Sequence, residues 1–304
     1  MLIRVADLTA PDAPHFVTLI SEPRADYTLL DSGNGRKYEQ YGDRRFIRPE
    51  TQAMWAPAHD DWYADAEFVP GSDEEGGGRW YNNRPVPIDG WPLIWNEVTF
   101  NAHCTPFRHL GFFPDMDPVW RWMRGLVADK SDAQCMNLFG YTGVGTLALS
   151  ASGAQMVHVD ASKKSVAQAR DNAAMSDMAD RPIRWIVDDA AKFVAREVRR
   201  ERRYDGILLD PPKYGRGPDG EVWRLEEDLP GLIADCRKLL DPQSRFLFLT
   251  VYAVRMSALA LGGLLKTHFD DLPGRVEFGE LAVREQARGI LLPTAIFARW
   301  SAAD

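Results

Sequence analysis

The stretch NLFGYTGVGTLALSASGA (137–154) constrains the fold more than any other part of this 304-residue chain. It reads as an apolar strand, a tight turn carrying Gly140, Gly143 and Gly145, and a helix. VHVDASKKSVAQARDN (157–172) then reads as a second strand that ends in Asp160, followed by a second helix. Glycine lets the backbone bend sharply and lets a ligand approach without a Cβ in between. Thr142 stands where a hydroxyl can cap the helix that follows. Asp160, twenty positions after Gly140, ends its strand where a carboxylate can accept hydrogen bonds from both hydroxyls of a ribose. The segment therefore describes half of a nucleotide-binding α/β fold.

The order of the glycines narrows the ligand. They run G-x-x-G-x-G, whereas the dinucleotide fingerprint runs G-x-G-x-x-G and seats a pyrophosphate on the helix N-terminus. That argues against a nicotinamide cofactor and for a ligand with an adenosine and an amino-acid tail but no phosphate, such as S-adenosylmethionine (SAM). Further candidate strands at 134–139, 155–160, 183–187, 204–209 and 245–250 alternate with helical stretches such as 162–176 and 190–203. Such alternation predicts a parallel, doubly wound sheet with ligands at the strand C-termini. Ahead of it, 114–130 has Val119, Trp122, Met123 and Leu126 at helical spacing, with Asp115 or Asp117 near the start. RVEFGELAV and PTAIFARW have no helix between them and read as an antiparallel hairpin at the sheet edge.

Residues 1–100 have a different texture from 101–304. YTLLDSGNGRKYEQYGDRRFIRP (27–49) alternates short apolar runs with Gly and Asn turns, which predicts a small β-rich domain ahead of a ligand-binding domain. Trp55, Trp62, Tyr63, Trp80, Tyr81, Trp91 and Trp95 crowd this region and read as core in preference to a base-stacking platform. GSDEEGGGRW, around Glu75, reads as an exposed loop. The net charge of -8 and a pI near 5.4 weigh against nonspecific coating of nucleic acid, although a local basic surface can still steer a polyanion. No apolar run approaches the roughly 20 residues of a membrane span. The start MLIRVADLTAPDAP lacks the pattern of a signal peptide. Cys104, Cys135 and Cys236 have no metal-ligand spacing. A cytoplasmic protein with no membrane partner and no metal is expected.

Two further strings carry candidate chemistry. In YDGILLDPPKYGRG (204–217), Ile207, Leu208 and Leu209 form a strand, and Asp210, Pro211, Pro212 and Lys213 leave it beside the expected ligand. Consecutive prolines cannot extend a central strand, so they either simply end it or stiffen a loop that presents Asp210 and backbone carbonyls. IRWIVDDAAKFV (183–194) places Asp188 and Asp189 at another strand end. A carboxylate there can accept from an adenine amino group, or cap the helix beginning near Ala190.

With these three strings in order, the chain resembles class I SAM-dependent methyltransferases, and more narrowly the branch that contains bacterial 23S ribosomal RNA methyltransferases. The resemblance implies a Rossmann-like fold, SAM as cofactor and ribosomal RNA as partner. It implies a cofactor site at Asn137, Phe139, Gly140, Thr142, Asp160, Ala161, Asp189, Ala190 and Asp210, and a catalytic loop at Asp210, Pro211, Pro212 and Lys213. TPFRHLGFFPDMD (105–117) is similar to the segment that closes over SAM in that branch, which adds Phe107, His109, Gly111, Phe112 and Asp115.

One departure bears on the reaction. Members of the branch that methylate cytosine C5 carry a cysteine just after the fifth strand, and that chemistry needs a thiolate to activate the ring. Here RFLFLTVYAVRMS has Thr250 and Tyr252 and no cysteine. Cys236 reads as a buried helix residue, and Cys104 is a weak substitute. For a ring nitrogen or exocyclic amine as acceptor, Asp210 and the Pro211 carbonyl can orient the base, and Asp210 can take a proton. Lys213 can hold a phosphate and Tyr214 can stack on a base. Candidate RNA contacts are Arg36, Lys37, Arg44, Arg45 and Arg48 in the β-rich part; Arg196, Arg199, Arg200, Arg202 and Arg203, on the third helix, read first as a solvated face. Methylation of a protein or small molecule is the competing enzyme function, and a non-catalytic SAM- or RNA-binding module is the competing class.

Overall fold

The computed structural model describes residues 16–71, 77–106, 108–130, 132–252 and 255–303. MLIRVADLTAPDAP, the centre of the loop around Glu75, and Phe107 lie outside the described residues. After β1 (Phe16–Ser21) come β2 (Tyr27–Gly33), β3 (Arg36–Tyr41), β4 (Arg44–Pro49), β5 (Ala66–Pro70) and β6 (Gly78–Asn82), which form a five-stranded sheet in that order. β7 (Trp91–Trp95) and β8 (Val98–Ala102) make a separate hairpin.

The alternating part follows α1 (Asp117–Leu126): β9 (Gln134–Leu138), α2 (Val144–Ala151), β10 (Gln155–Asp160), α3 (Lys163–Met175), β11 (Ile183–Val187), α4 (Ala190–Arg199) and β12 (Gly206–Leu209). A short hairpin, β13 (Tyr214–Arg216) and β14 (Val222–Arg224), precedes α5 (Leu225–Lys238), β15 (Phe246–Tyr252), α6 (Ala258–His268), β16 (Arg275–Arg284) and β17 (Leu291–Ser301). α4 ends at Arg199, so Arg202 and Arg203 stand beyond the helix expected over 190–203. Ser162 caps α3 by accepting from the Ser165 amide at 3.2 Å.

The large sheet has the order β1-β16-β17-β15-β12-β9-β10-β11, with β17 antiparallel to both of its neighbours. The β16–β17 hairpin is antiparallel as expected, but it lies inside the sheet. β1 runs parallel to β16, from Phe16 opposite Phe278 to Ser21 opposite Val283, and takes the edge. That pairing covers the row of amides and carbonyls that β16 would otherwise expose. It also places a strand from the 1–100 region in the large sheet.

Successive side chains of a strand point to opposite faces, and here the alternation feeds two cores. Cys135, Leu208, Phe246 and Phe248 join a core with Trp120 of α1 and Leu147 of α2. Met136, Leu138, Ile207, Leu209, Leu247 and Leu249 join another with Phe193 of α4, Ile233 of α5 and Leu265 of α6. The first core continues into the N-terminal layer through Tyr41, Phe46, Trp91, Trp95 and Phe100. The aromatics of that layer divide: Trp91 and Trp95 are buried, while Tyr63 and Tyr81 remain 53% and 51% exposed.

A buried ion pair holds this junction. Arg48 donates to both oxygens of Glu39 at 2.7 and 2.8 Å and to the Tyr41 hydroxyl at 2.6 Å, and Tyr27 donates to Glu39 at 2.9 Å. Burial pushes the Glu39 carboxyl up, but Arg48 and Lys37 outweigh it and hold it below its usual value. Arg48 also donates to the Arg108 carbonyl at 2.9 Å, which ties the 105–117 segment to the sheet. Arg48 is therefore removed from the candidate RNA contacts, because its charge is spent inside the protein. A second junction joins the β16–β17 turn to β2: Arg288 donates to Asp31 at 3.1 Å, the Ser32 carbonyl at 2.7 Å and Glu285 at 2.8 Å.

Removing one partner of a buried pair leaves the other charge uncompensated, at a cost of about 3–5 kcal/mol. Arg48→Met is expected to lower the unfolding free energy by that amount in urea titration. A loss below about 1 kcal/mol, typical of an exposed pair, would show that Arg48 is not carrying the junction.

Candidate active site

The turn between β9 and α2 is shaped by backbone conformation. Phe139, Tyr141 and Gly143 all adopt positive φ, at 58°, 47° and 81°. Non-glycine residues in that region cost of order 1–3 kcal/mol each, and such conformations cluster at functional sites. Gly140 donates to the Val159 carbonyl at 3.0 Å, and a Cβ on it would lie 2.5 Å from the His158 ring. Gly143 is the N-cap of α2. Thr142, one residue too early, does not cap the helix as expected. Its hydroxyl donates to the Gly111 carbonyl at 2.8 Å, which fastens the turn to the 105–117 segment.

Asp160 is oriented by two backbone amides: Tyr141 donates to one oxygen at 2.9 Å and Ser162 to the other at 2.8 Å. Burial raises its carboxyl, and these two amides oppose the rise. At the end of β11, Asp189 caps α4 by accepting from Lys192 at 2.9 Å, and Asp188 accepts from the Asp189 amide at 2.8 Å and contacts Arg196. Asp189 therefore caps the helix through one of its two carboxylate oxygens.

Phe112, Asn137, Phe139, Gly140, Thr142 and Asp210 line one cleft, joined by Phe113, Met116, Trp120, Tyr141 and Gly145. Asp160 reaches it through the Tyr141 amide, and His109 through the Tyr141 hydroxyl, 3.2 Å from its Nδ1. Burial, with Arg48 adding to it, lowers the His109 imidazole to about 4, so the ring is neutral near pH 7. Ala161 follows the end of β10, Asp189 and Ala190 begin α4, and none of the three lines the cleft. Phe113 and Tyr141 escaped the sequence reading although both lie inside quoted strings; an aromatic beside a glycine turn gives no signal of which way it faces.

Asp210 leaves β12 into the cleft. Burial, and then the nearby Asp115, pushes its carboxyl well above the usual value. Asp115 is itself raised by burial and accepts from Thr294 at 2.6 Å. Tyr252 completes this group: burial and the two carboxylates push its phenol up, and its ring lies 5.4 Å from Phe113. Pro211 is buried, whereas Pro212, Lys213 and Tyr214 are exposed. The loop is clamped from β14, where Trp223 donates to the Pro212 carbonyl at 2.7 Å and packs its ring 5.2 Å from Phe139. Trp223, like the cleft residues Met116 and Trp120, was missed by the sequence reading.

No thiol is primed as a nucleophile among these groups: burial pushes Cys104 up to about 12 and raises Cys135 and Cys236 as well. Among the described residues, no group of three or more His, Cys, Asp or Glu side chains is placed to hold a metal ion.

A family model for S-adenosylmethionine-dependent methyltransferases matches residues 61–248, which include the turn, Asp160 and the Asp210 loop. The ribosomal RNA large subunit methyltransferase K/L of Shewanella amazonensis is 29% identical over 199 residues, covering 62% of this chain and 27% of that protein. Its counterpart from Shewanella baltica is 30% identical over 161 residues, covering 51% and 22%. The chain spans about a quarter of the length of these curated relatives. A solved SAM-dependent methyltransferase from Agrobacterium tumefaciens is 42% identical, with a TM-score of 0.90 and 94% of each chain covered. A methyltransferase structure complexed with S-adenosylhomocysteine (SAH), 16% identical with a TM-score of 0.67 over 91% of this chain and 75% of that one, shares the fold.

Asn137 and Asp210 place acceptors in the lining of a cleft whose other walls are mostly apolar and aromatic, and Asp160 stands behind the Tyr141 amide. Hydrogen bonds to a charged group are worth about 1.5–3 kcal/mol. Asp160→Ala is therefore expected to weaken SAH binding roughly 10- to 100-fold in calorimetry, and unchanged affinity would remove Asp160 from the site. With the family match covering more than half its length and the Agrobacterium structure covering nearly all of it, the chain belongs to the S-adenosylmethionine-dependent methyltransferases.

Proposed function

We propose that this enzyme works in the cytoplasm and methylates a base of ribosomal RNA by direct transfer, without a cysteine nucleophile. The observation that carries the reading is Asp210: a carboxyl raised by its surroundings, at the mouth of β12, in a cleft with no reactive thiol. The names of the Shewanella relatives support RNA as the substrate class.

SAM supplies an activated methyl group on a sulfonium. The protein's part is to hold an acceptor in line and keep water out, since alignment at roughly 3–3.5 Å accounts for much of such catalysis. On this reading Asn137 and Asp160 hold the cofactor, and the aromatic walls exclude water. Asp210 and the Pro211 carbonyl orient a ring nitrogen or amine, and Asp210 takes or shares its proton. Lys213 and Tyr214, both exposed, are the side chains that would meet phosphate and base on this reading. Exposed Arg36 and Arg45 remain candidate contacts on the β-rich layer.

Methyl label from SAM is expected to enter ribosomal RNA isolated from a strain lacking the gene, with mass-spectrometric nucleoside mapping locating the base. Asp210→Ala should reduce the rate by roughly 10²- to 10⁴-fold, the usual worth of a positioned acid or base. Label appearing in protein or metabolites instead would replace the RNA reading, and no transfer at all would leave a binding module.

Only the ionised Asp210 can accept a proton, so activity should fall as pH drops through its raised pKa. Asp115→Asn removes a like charge that contributes to the rise, so the acidic limb of kcat/KM should move to lower pH. A limb that stays in place would show that Asp210 is not the titrating group.

A further inference from the structure

Behind the glycine turn runs a buried polar chain of which the steps above use only Asn137. Asn137 Nδ2 donates to Thr146 Oγ1 at 3.0 Å, and Thr146 Oγ1 lies 2.9 Å from His158 Nδ1. Asn137 is 3% exposed, and Thr146 and His158 are fully buried. His158 is held between Trp185, with ring centroids 5.0 Å apart, and the bare Cα of Gly140. Its Nε2 is buried and has no hydrogen-bond partner among the described residues.

Counting protons gives this chain a direction. A threonine hydroxyl has one proton. Since Thr146 accepts from Asn137, its own proton is free to go to His158 Nδ1. Burial lowers the imidazole to about 3, so the ring is neutral; with the Thr146 proton given to Nδ1, the single ring proton sits on Nε2. At the other end, the amide of Asn137 has its nitrogen committed to Thr146 and its Oδ1 left over, and Asn137 lines the cleft.

We propose that His158 is a positioning residue of the methyltransferase site, acting through Thr146 to fix the Asn137 amide with its carbonyl oxygen available to the cationic tail of the cofactor. The opposite tautomer, protonated on Nδ1, donates to Thr146 and releases the Thr146 proton, which can then go to the oxygen of a turned Asn137 amide and leave an N–H where an ammonium needs an acceptor. A side chain on a strand behind the turn thus sets the polarity of a group on the cleft wall. The inference depends on the cofactor class and not on the RNA reading, so failure of RNA methylation leaves it standing.

Two measurements on the whole chain test it, neither needing turnover. Imidazole ¹⁵N NMR of the unsubstituted protein should show His158 protonated on Nε2 alone between about pH 5 and 8; an Nδ1–H tautomer would overturn the proposal. In calorimetry with SAH, Thr146→Val should weaken binding roughly tenfold, while Thr146→Ser, which keeps the hydroxyl, should stay within about twofold of the unsubstituted protein. In an Asn137→Ala background Thr146→Val should have no further effect, because coupled residues are non-additive. The same tenfold loss in that background would assign Thr146 and His158 to packing alone.

Discussion

Arg48 carries a charge into the interior, and much of the protein is arranged around keeping it there. Glu39 neutralises it, Tyr27 and Tyr41 satisfy the remaining hydrogen bonds, and the Arg108 carbonyl takes one of its amino groups. That last bond matters for the site. It anchors the segment that brings His109, Phe112 and Phe113 against the glycine turn, so a cluster in the β-rich layer helps to define the cleft wall. A buried pair of this kind adds little net stability over an apolar replacement. Its value here is that the guanidinium has one satisfactory arrangement, and the segment follows it.

The turn itself works by crowding. Gly140 lies against His158 and Gly143 against Ala169, so the backbone passes where no side chain fits. Thr142 and Asp160 then hold the turn from two sides, one bonded to the 105–117 segment and the other to the Tyr141 amide. Strained φ values at Phe139 and Tyr141 persist because these bonds leave the chain no relaxed alternative.

The local features were legible in the sequence. Apolar strands, glycines and a terminal acid lie within thirty or so residues, so periodicity alone placed β9, α2 and β10. What the sequence obscured is mostly non-local. Arg48 looks like any surface arginine in RRFIRP until β3 brings Glu39 beside it. The hairpin of β16 and β17 was read at the edge because nothing in FVTLIS marks it as the strand that covers them. Trp223 sits in a short hairpin whose contact with Pro212 depends on the loop between them. Thr142 shows a finer limit: one residue of register decides whether a hydroxyl caps a helix or ties down a distant carbonyl.

The place of β1 has a consequence for how the chain is assembled. During synthesis it leaves the ribosome long before β16, the strand against which it will lie. Loop closure over so many residues is entropically costly, and contacts of this range slow folding. The central strands can pair from neighbouring segments, but FVTLIS must wait, half-apolar and unpaired, until nearly all of the large sheet has been made. This edge of the sheet is thus a late event, and during that interval it is open to pairing with another chain.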